Sequence, residues 1–185
     1  IYTLSLHDAL PISISYKSTI KDGKPDREIY RKNIDDTHTL RVAEGMYISQ
    51  DFSNEIFEMV KDSQLGEKKY KYSDLGFYYL PKIVEMVTNM SFEKYLEETY
   101  YKPLNLNHIY YKPLNHIAKG NIAPTEYDQT FRMQQLQGDV HDQAAALMGG
   151  VAGHAGLFGN ARDLAVMLQL LLDDGYANNR QFLSE

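Results

Sequence analysis

The sequence predicts one mixed α/β (α+β) domain in which helices dominate. Its 185 residues are enough for a single domain with a hydrophobic core and too few for two large domains. Apolar side chains recur at helical spacing in three long segments, and one short segment alternates weakly between apolar and polar side chains, as a strand does. Residues 102–138 show neither period over most of their length, so we expect loops there with one short strand near Ile122.

The first half of the chain contains the strand and two of the helices. Residues 14–38 are polar and rich in turn-forming residues, and Thr39–Val42 is predicted as the short strand. Phe52–Val60 is predicted as a helix with Asp51 as its N-cap. The next helix is predicted from Leu75 to about Asn89, and we expect one face of it to be buried through five apolar side chains: Phe77, Leu80, Ile83, Val84 and Val87.

The second half ends in the strongest helical pattern. Ser91 is predicted to cap a short helix that ends near Glu98. Asn160 is the expected N-cap of the last helix, which Gly175 ends. The apolar residues of that helix predict its buried face: Leu164, Met167, Leu168, Leu171 and Leu172.

Composition excludes several classes of function. The net charge is −6 and the basic residues are scattered, which gives no electrostatic reason to expect nucleic acid as a partner. No apolar run approaches the roughly 20 residues of a membrane span, and we see no targeting signal. Because the chain has no cysteine, disulfides and thiol catalysis are excluded.

The two ends of the chain suggest a piece of a longer reading frame. Residues 1–13 resemble translated sequencing-adapter DNA, and we therefore expect a non-native segment there. Residues 14–185 are then expected to be part of one domain, since the chain stops where the element after the last helix would begin.

Two motifs carry the functional argument. In the first, Tyr72-Ser73-Asp74-Leu75-Gly76, a strand-like run from Lys69 to Tyr72 turns directly into an apolar helix. Such a turn can present the tyrosine hydroxyl to a cleft. The second runs from Gly138-Asp-Val-His-Asp142 through the glycine-rich segment 149–158 to Leu164-Ala165. Its glycines permit tight turns and close approach of the backbone to a ligand or a helix.

Together these motifs resemble the serine beta-lactamase and penicillin-binding-protein superfamily, and within it the class C beta-lactamase-like hydrolases and esterases. The fuller second motif is similar to a domain found downstream of family 3 glycoside hydrolase domains in some exported bacterial proteins. The resemblance implies a serine beta-lactamase-like fold of which this chain is the central, mainly helical portion. Much of the antiparallel sheet would then be missing, since the two ends of the complete chain build it.

The resemblance also implies roles for individual residues. Tyr72 would be the general base or proton relay, and Asp74 a polar group on the substrate side, at a position where many relatives carry asparagine. An ionised carboxylate accepts hydrogen bonds but cannot donate one, which disfavours penicillin-like substrates. His141, Gly153 and His154 would contact the substrate. The substrate would be a small molecule, a peptide or cell-wall material, and the reaction would need no cofactor. The complete protein would be periplasmic or exported, and a linked glycoside hydrolase domain would be its partner.

The chain offers no convincing nucleophile of the Ser-x-x-Lys type. Ser18-Thr-Ile-Lys21 runs straight into the turn Asp22-Gly-Lys-Pro25, so a buried helix cannot carry it. Ser91-Phe-Glu-Lys94 follows Tyr72 in the chain, and Ser91 is better explained as an N-cap. We therefore expect the nucleophile to lie outside this chain.

Two further patterns are also expected to be coincidental. His154-Ala-Gly156 is an unlikely third superfamily motif, because that motif needs a strand and a helix begins soon after Gly156. The two histidines and two aspartates between 139 and 154 match no common metal-ligand spacing, and we expect no metal there.

Three interpretations remain open from the sequence. The first is a serine hydrolase that works through an acyl-enzyme. The second is a non-catalytic module that binds cell-wall glycan or peptide for an attached glycosidase. The third is a helical domain with chance motif matches, which predicts that Tyr72 and the segment 149–158 lie far apart.

Overall fold

A computed structural model describes residues 14–64, 66, 70 and 72–184, and these residues form a mixed helical and β structure. The helices are α1 (Phe52–Lys61), α2 (Leu75–Thr88), α3 (Phe92–Leu96), α4 (Gln143–Leu147) and α5 (Ala161–Leu172). The strands are β1 (Ile20–Lys21), β2 (Lys24–Pro25), β3 (Tyr30–Arg31), β4 (Leu40–Ala43), β5 (Met46–Ile48), β6 (Tyr110–Tyr111), β7 (Tyr127–Asp128), β8 (Gln134–Gln135), β9 (Leu157–Phe158), β10 (Tyr176–Ala177) and β11 (Arg180–Gln181). A π-helical turn, Glu97–Tyr101, extends α3.

The central sheet of the described residues has three antiparallel strands in the order β3-β5-β4. The strand predicted at Thr39–Val42 is confirmed as β4, whose Leu40 pairs with Ile48 of β5. The other strands form antiparallel pairs of two residues each, β1-β2, β6-β9, β7-β8 and β10-β11. The strand predicted near Ile122 is wrong, because a 3-10 turn, Lys119–Asn121, ends there and strands form on either side of it instead.

The main core lies between the β3-β5-β4 sheet and helices α1, α2 and α4. Its fully buried side chains include Ile48 of β5, Ile56 of α1, Tyr78 of α2 and Leu147 of α4. The helix predicted at Phe52–Val60 is confirmed, but Asp51 makes no capping hydrogen bond through its side chain. The backbone of Asp51 already has right-handed helical angles, whereas a capping residue usually has extended backbone angles.

Helix α2 is confirmed, but its predicted buried face is wrong. Leu75, Tyr78 and Pro81 are the buried residues, and the apolar side chains of Phe77, Leu80, Ile83 and Val87 are exposed. Helical periodicity identifies an amphipathic helix, but it does not say which of its apolar side chains meet a neighbouring element. Within the described ranges, the core contacts α2 along the line from 75 to 81.

In helix α5, as in α2, most of the side chains on the predicted buried face are exposed. It begins as predicted, since the Asn160 side chain accepts a hydrogen bond from the Asp163 amide at 2.8 Å, and Gly175 lies just beyond its end with φ +78°. Leu170 is buried in a second cluster with Tyr101, Leu104, Leu106 and Ile109. Of the predicted face, Met167 lies at the edge of this cluster, while four leucines are exposed: Leu164, Leu168, Leu171 and Leu172.

Leu170→Ala is expected to destabilise the chain by about 2–5 kcal/mol, the range for truncating a buried leucine. Its side chain is 1% exposed. The matched control is Leu172→Ala, two residues on and 77% exposed, for which we expect less than about 0.5 kcal/mol. Chemical denaturation of both variants checks this. Equal losses would contradict this account of α5, because they would show that Leu172 contributes to packing as much as Leu170 does.

In the described part of the chain, no helix combines the length and the apolarity needed to cross a bilayer.

Candidate active site

The Tyr72-Ser73-Asp74 motif lies at the N-terminal end of α2. The Ser73 hydroxyl accepts a hydrogen bond from the Leu75 amide at 3.3 Å, so serine rather than aspartate satisfies a backbone donor at the helix start. Asp74 occupies the N-cap position without a side-chain capping bond. The strand-like run predicted at Lys69–Tyr72 is not a strand at Tyr70 or Tyr72, and its other two positions lie outside the described residues.

Tyr72 is accessible, but its surroundings do not favour a base. Its side chain is 62% exposed. A hydrogen bond to the Asp74 carboxylate raises the pKa of Tyr72, and the negative charge of Asp74 adds to that rise. The described groups that shift this pKa, Asp74 and Tyr70, include no cation. A free tyrosine has a pKa near 10 and needs a nearby cation to act as a base at neutral pH. Asp74 and Tyr70 raise the pKa of Tyr72, so neither prepares it to accept a proton.

The glycine-rich segment 149–158 packs directly against α2. A Cβ atom added to Gly153 would lie 2.3 Å from the Phe77 carbonyl oxygen and 3.1 Å from Cδ of Pro81. Proline has no amide hydrogen, so Pro81 leaves the Phe77 carbonyl without its partner inside the helix, and Gly153 approaches at that point. This close approach explains the glycine on packing grounds.

The neighbouring residue, His154, joins the second motif to the first. Its ring stacks on Tyr78 of α2 with centroids 4.6 Å apart and planes at 25°. Burial raises the pKa of Tyr78 to about 12, and the charges of Asp142 and Asp74 contribute to the rise. The second motif therefore contacts α2 at Tyr78, two residues beyond the end of the first motif. The interpretation as chance matches expects Tyr72 itself to lie far from the segment 149–158. The contacts reach α2 at Phe77, Tyr78 and Pro81, so the position of Tyr72 relative to this segment stays a prediction.

His154 and Asp142 form a polar pair in which the imidazole is buried and the carboxylate is partly exposed. The imidazole is 5% exposed, and its Nε2 lies 3.1 Å from Oδ1 of Asp142. The same carboxylate accepts a hydrogen bond from the Ala145 amide at 2.7 Å and so caps α4. Burial alone would raise the pKa of Asp142, but the bonds from His154 and Ala145 outweigh it and the pKa is lowered. Nδ1 of His154 is buried without a partner among the described residues.

His141, the next predicted contact residue, lies on the surface beside this pair. Its side chain is exposed, and Nδ1 is 3.6 Å from a carboxylate oxygen of Glu126. His141 is thus accessible to a ligand, whereas His154 is enclosed by Tyr78 and Asp142. The short strand β9 does follow His154-Ala-Gly156, but it pairs with β6 and stands immediately ahead of α5.

A buried arginine fixes the segment that carries His141 and Asp142. The Arg132 guanidinium donates at 2.6 Å to the carbonyl oxygens of both Val140 and His141. Its Nε donates at 2.8 Å to Asp128, which also accepts three backbone N–H bonds from residues 130–132. Both side chains of this ion pair are buried, so the geometry of the segment 140–142 depends on a desolvated charge pair.

The sequence analysis missed two of these partners. Asp142 stands just before the run Gln143-Ala-Ala-Ala-Leu147, and an aspartate before an alanine-rich run is an N-cap signal for α4. Arg132 follows Asp128 by four residues, a spacing that would suggest an ion pair on a helix but carries no such meaning in a loop. In the described ranges, no three His, Asp or Glu side chains converge as metal ligands would.

Comparison with known proteins identifies the class to which this fold and these motifs belong. The beta-lactamase family model matches residues 25–185, and the chain therefore belongs to the beta-lactamase family. Its fold is accordingly the serine beta-lactamase-like fold with mixed helices and sheet, as predicted.

Curated relatives are similar over most of this chain but over little of their own length. An N-acetylmuramyl-L-alanine amidase of Bacillus subtilis (strain 168) is 40% identical over 154 residues, which cover 73% of this chain and 34% of that protein. A putative D-alanyl-D-alanine carboxypeptidase of Escherichia coli (strain K12) is 36% identical over 170 residues, which cover 82% and 38%. The chain thus spans 34–38% of the length of these relatives.

Among solved structures, the D-amino acid amidase of Ochrobactrum anthropi SV3 in complex with D-phenylalanine is similar, with a TM-score of 0.48 and 13% sequence identity. The match covers 82% of this chain and 44% of that one.

Proposed function

We propose that this chain is the central part of a serine hydrolase that cleaves an amide or ester bond in cell-wall-type material through an acyl-enzyme. The observation that carries the proposal is the packing of Gly153 and His154 against α2, the helix that follows Tyr72-Ser73-Asp74. This packing supports the proposal because it places the second motif against the helix that the first motif precedes. The names of the two relatives, an amidase and a putative carboxypeptidase, favour an amide bond as the substrate.

In the proposed reaction a serine oxygen attacks the substrate carbonyl and its proton passes through Tyr72 to the leaving group. The bond from carbonyl to leaving group then breaks, and water later hydrolyses the acyl-enzyme. Asp74 raises the pKa of Tyr72, and an ionised carboxylate can accept a hydrogen bond from a substrate N–H or O–H but cannot donate one. The cation that the described neighbours of Tyr72 do not supply is, in this proposal, the lysine of the nucleophile motif.

The nucleophile and that lysine are proposed to lie in a part of the protein outside these 185 residues. The Ser18 hydroxyl donates to the Ser15 carbonyl oxygen within a 3-10 turn, and Lys21 belongs to the hairpin that follows. The Ser91 hydroxyl accepts from the Lys94 amide at 3.4 Å and caps α3, as predicted. Neither serine opens a buried helix that carries a lysine one turn later.

The chain as given is therefore expected to hydrolyse neither nitrocefin nor short p-nitrophenyl esters above background. Loss of the nucleophile alone costs such enzymes several orders of magnitude in rate. Ser18→Ala and Ser91→Ala are the matched variants, and both should leave the background unchanged. Turnover that either substitution abolishes would make that serine the nucleophile and overturn the proposal.

A non-catalytic binding module is the second candidate, and one observation favours it. Asp74 raises the pKa of Tyr72 instead of lowering it, which is the reverse of what a proton relay needs. The complete protein separates the two candidates, because the hydrolase requires a Ser-x-x-Lys at the start of an apolar helix and the module does not. For both candidates we further propose that the complete protein is exported and carries a linked glycoside hydrolase domain.

A further inference from the structure

A second feature able to bind a ligand is a cleft of about 820 Å³. Its walls come from the segment 108–125, from residues 140–142 and from residues 155–160. Neither Tyr72 nor Asp74 lines it, whereas His141 and Asp142 do. The cleft therefore adjoins the second motif. A cleft of this volume is within the range that holds small-molecule ligands.

The charges of this cleft do not favour an anionic ligand. Among the described residues its lining contains no lysine or arginine, its one carboxylate is Asp142, and its histidines are His108 and His141. Oδ1 of Asp142 already accepts from Ala145 and bonds to His154. A free carboxylate or a phosphate is recognised chiefly by guanidinium and ammonium groups, which these walls do not supply. These walls therefore favour an uncharged ligand over an anionic one.

The polar groups of the cleft suit hydroxyl and amide groups of a ligand. Asn160 uses its carboxamide oxygen to cap α5, which leaves its NH₂ group as a donor. Asn121 and Thr125 are exposed at the cleft, and their side chains make no hydrogen bond within the described part of the chain. Carboxamide and hydroxyl groups both donate and accept, as the hydroxyl and acetamido groups of a sugar do.

Two aromatic residues form the apolar wall. Tyr110 of β6 pairs directly with Phe158 of β9, and both line the cleft. Residues opposite each other in an antiparallel pair project to the same face of the ladder, about 5 Å apart at Cβ. The Tyr110 ring also stacks on His116, with centroids 4.6 Å apart and planes at 10°. Aromatic faces are electron-rich and attract the polarised C–H groups of a pyranose ring.

From these observations we propose that the cleft binds an uncharged N-acetylated sugar. The proposal deepens the proposed function by naming the glycan portion of its cell-wall substrate, but binding here requires neither Tyr72 nor a nucleophile. A failure to bind sugar therefore leaves the hydrolase proposal standing, and a failure of hydrolysis leaves this one standing.

The test is a titration of the isotope-labelled 185-residue chain with N,N′-diacetylchitobiose, followed by NMR. We expect saturable shifts confined to amides of the segments 108–125, 140–142 and 155–160. Cellobiose, which lacks the acetamido groups, should bind at least about 5-fold more weakly, since each lost hydrogen bond contributes a factor of that order. The uncharged peptide N-acetyl-D-alanyl-D-alanine amide should give no saturable shifts in these segments.

Variants connect the binding to the named side chains. Asn121→Ala, at an exposed position, should fold normally and bind the disaccharide about 5-fold more weakly. Tyr110→Ala should weaken binding about 10-fold, whereas its control Tyr127→Ala, a strand tyrosine that is more exposed and does not line the cleft, should not. The proposal is overturned if the disaccharide does not bind, if the peptide binds in its place, or if Asn121→Ala binds as tightly as the unaltered chain.

Discussion

Arg132→Met is expected to destabilise the chain by about 3–5 kcal/mol, the largest effect on stability that we anticipate. The substitution leaves the Asp128 carboxylate in the interior without its cation, and an uncompensated buried charge is costly. It also removes the donors that hold the carbonyl groups of Val140 and His141. Chemical denaturation measures the loss, and NMR shifts of the segment 140–142 should change in the folded fraction.

Two controls define the cause of that loss. The double variant Arg132→Met, Asp128→Leu removes both charges and should recover part of the stability, because no buried charge is then left unpaired. Lys61→Met removes the cation of an exposed ion pair with Glu58 and should change little. If Arg132→Met behaved like Lys61→Met, the Arg132–Asp128 pair would not hold the segment 140–142.

The pH dependence of stability follows from the same pair. Burial tends to raise the pKa of Asp128, but the hydrogen bonds from Arg132 and from the backbone amides of residues 130–132 outweigh it and hold this pKa well below its ordinary value. A lowered carboxyl pKa gives stability that is present above the unfolded value, about 3.9, and lost as the pH falls below it. Arg132→Met should therefore flatten the acid limb of the stability profile.

Tyr72→Phe is the variant with the largest expected effect on catalysis. In the longer protein that we propose, acylation should slow by about 100-fold or more, the range for losing a general base. The change removes one oxygen and almost no volume from a side chain that is mostly exposed, so the unfolding midpoint should stay constant. Stopped-flow measurement of acylation, together with thermal unfolding, checks both expectations.

Tyr70→Phe is the matched control, because Tyr70 is an exposed tyrosine two residues earlier. It should acylate at the unaltered rate. Near-normal acylation by Tyr72→Phe would end the assignment of Tyr72 as the proton relay. A loss of stability without a loss of rate would assign Tyr72 a structural role instead.

The sequence predicted helices better than it predicted which residues they bury. Caps such as Ser91 and Asn160 act locally, so the residue types near them were sufficient to find the starts of α3 and α5. Burial depends on which element packs against a helix. The exposed faces around Leu80 and Leu168 show that an apolar stripe alone does not determine it.

In the candidate site, too, the sequence identified individual residues but not the contacts between them. The sequence identified Tyr72, Asp74 and the histidines as residues of interest, because their order along the chain resembles that of a known family. It could not reveal that Asp142 pairs with His154 or that Arg132 holds the segment around His141, since both depend on loops folding back across 9 to 12 residues. The contact of Gly153 with the carbonyl freed by Pro81 likewise joins residues far apart in sequence.

Intact-protein mass spectrometry of the longer protein, after reaction with a slowly deacylated substrate or a serine-directed acylating probe, shows whether an acyl-enzyme forms. We expect one covalent adduct on a serine outside residues 14–184, no adduct on the 185-residue chain alone, and slower adduct formation in Tyr72→Phe. An adduct on Ser18 or Ser91, or a longer protein that forms no adduct at all, would contradict this expectation.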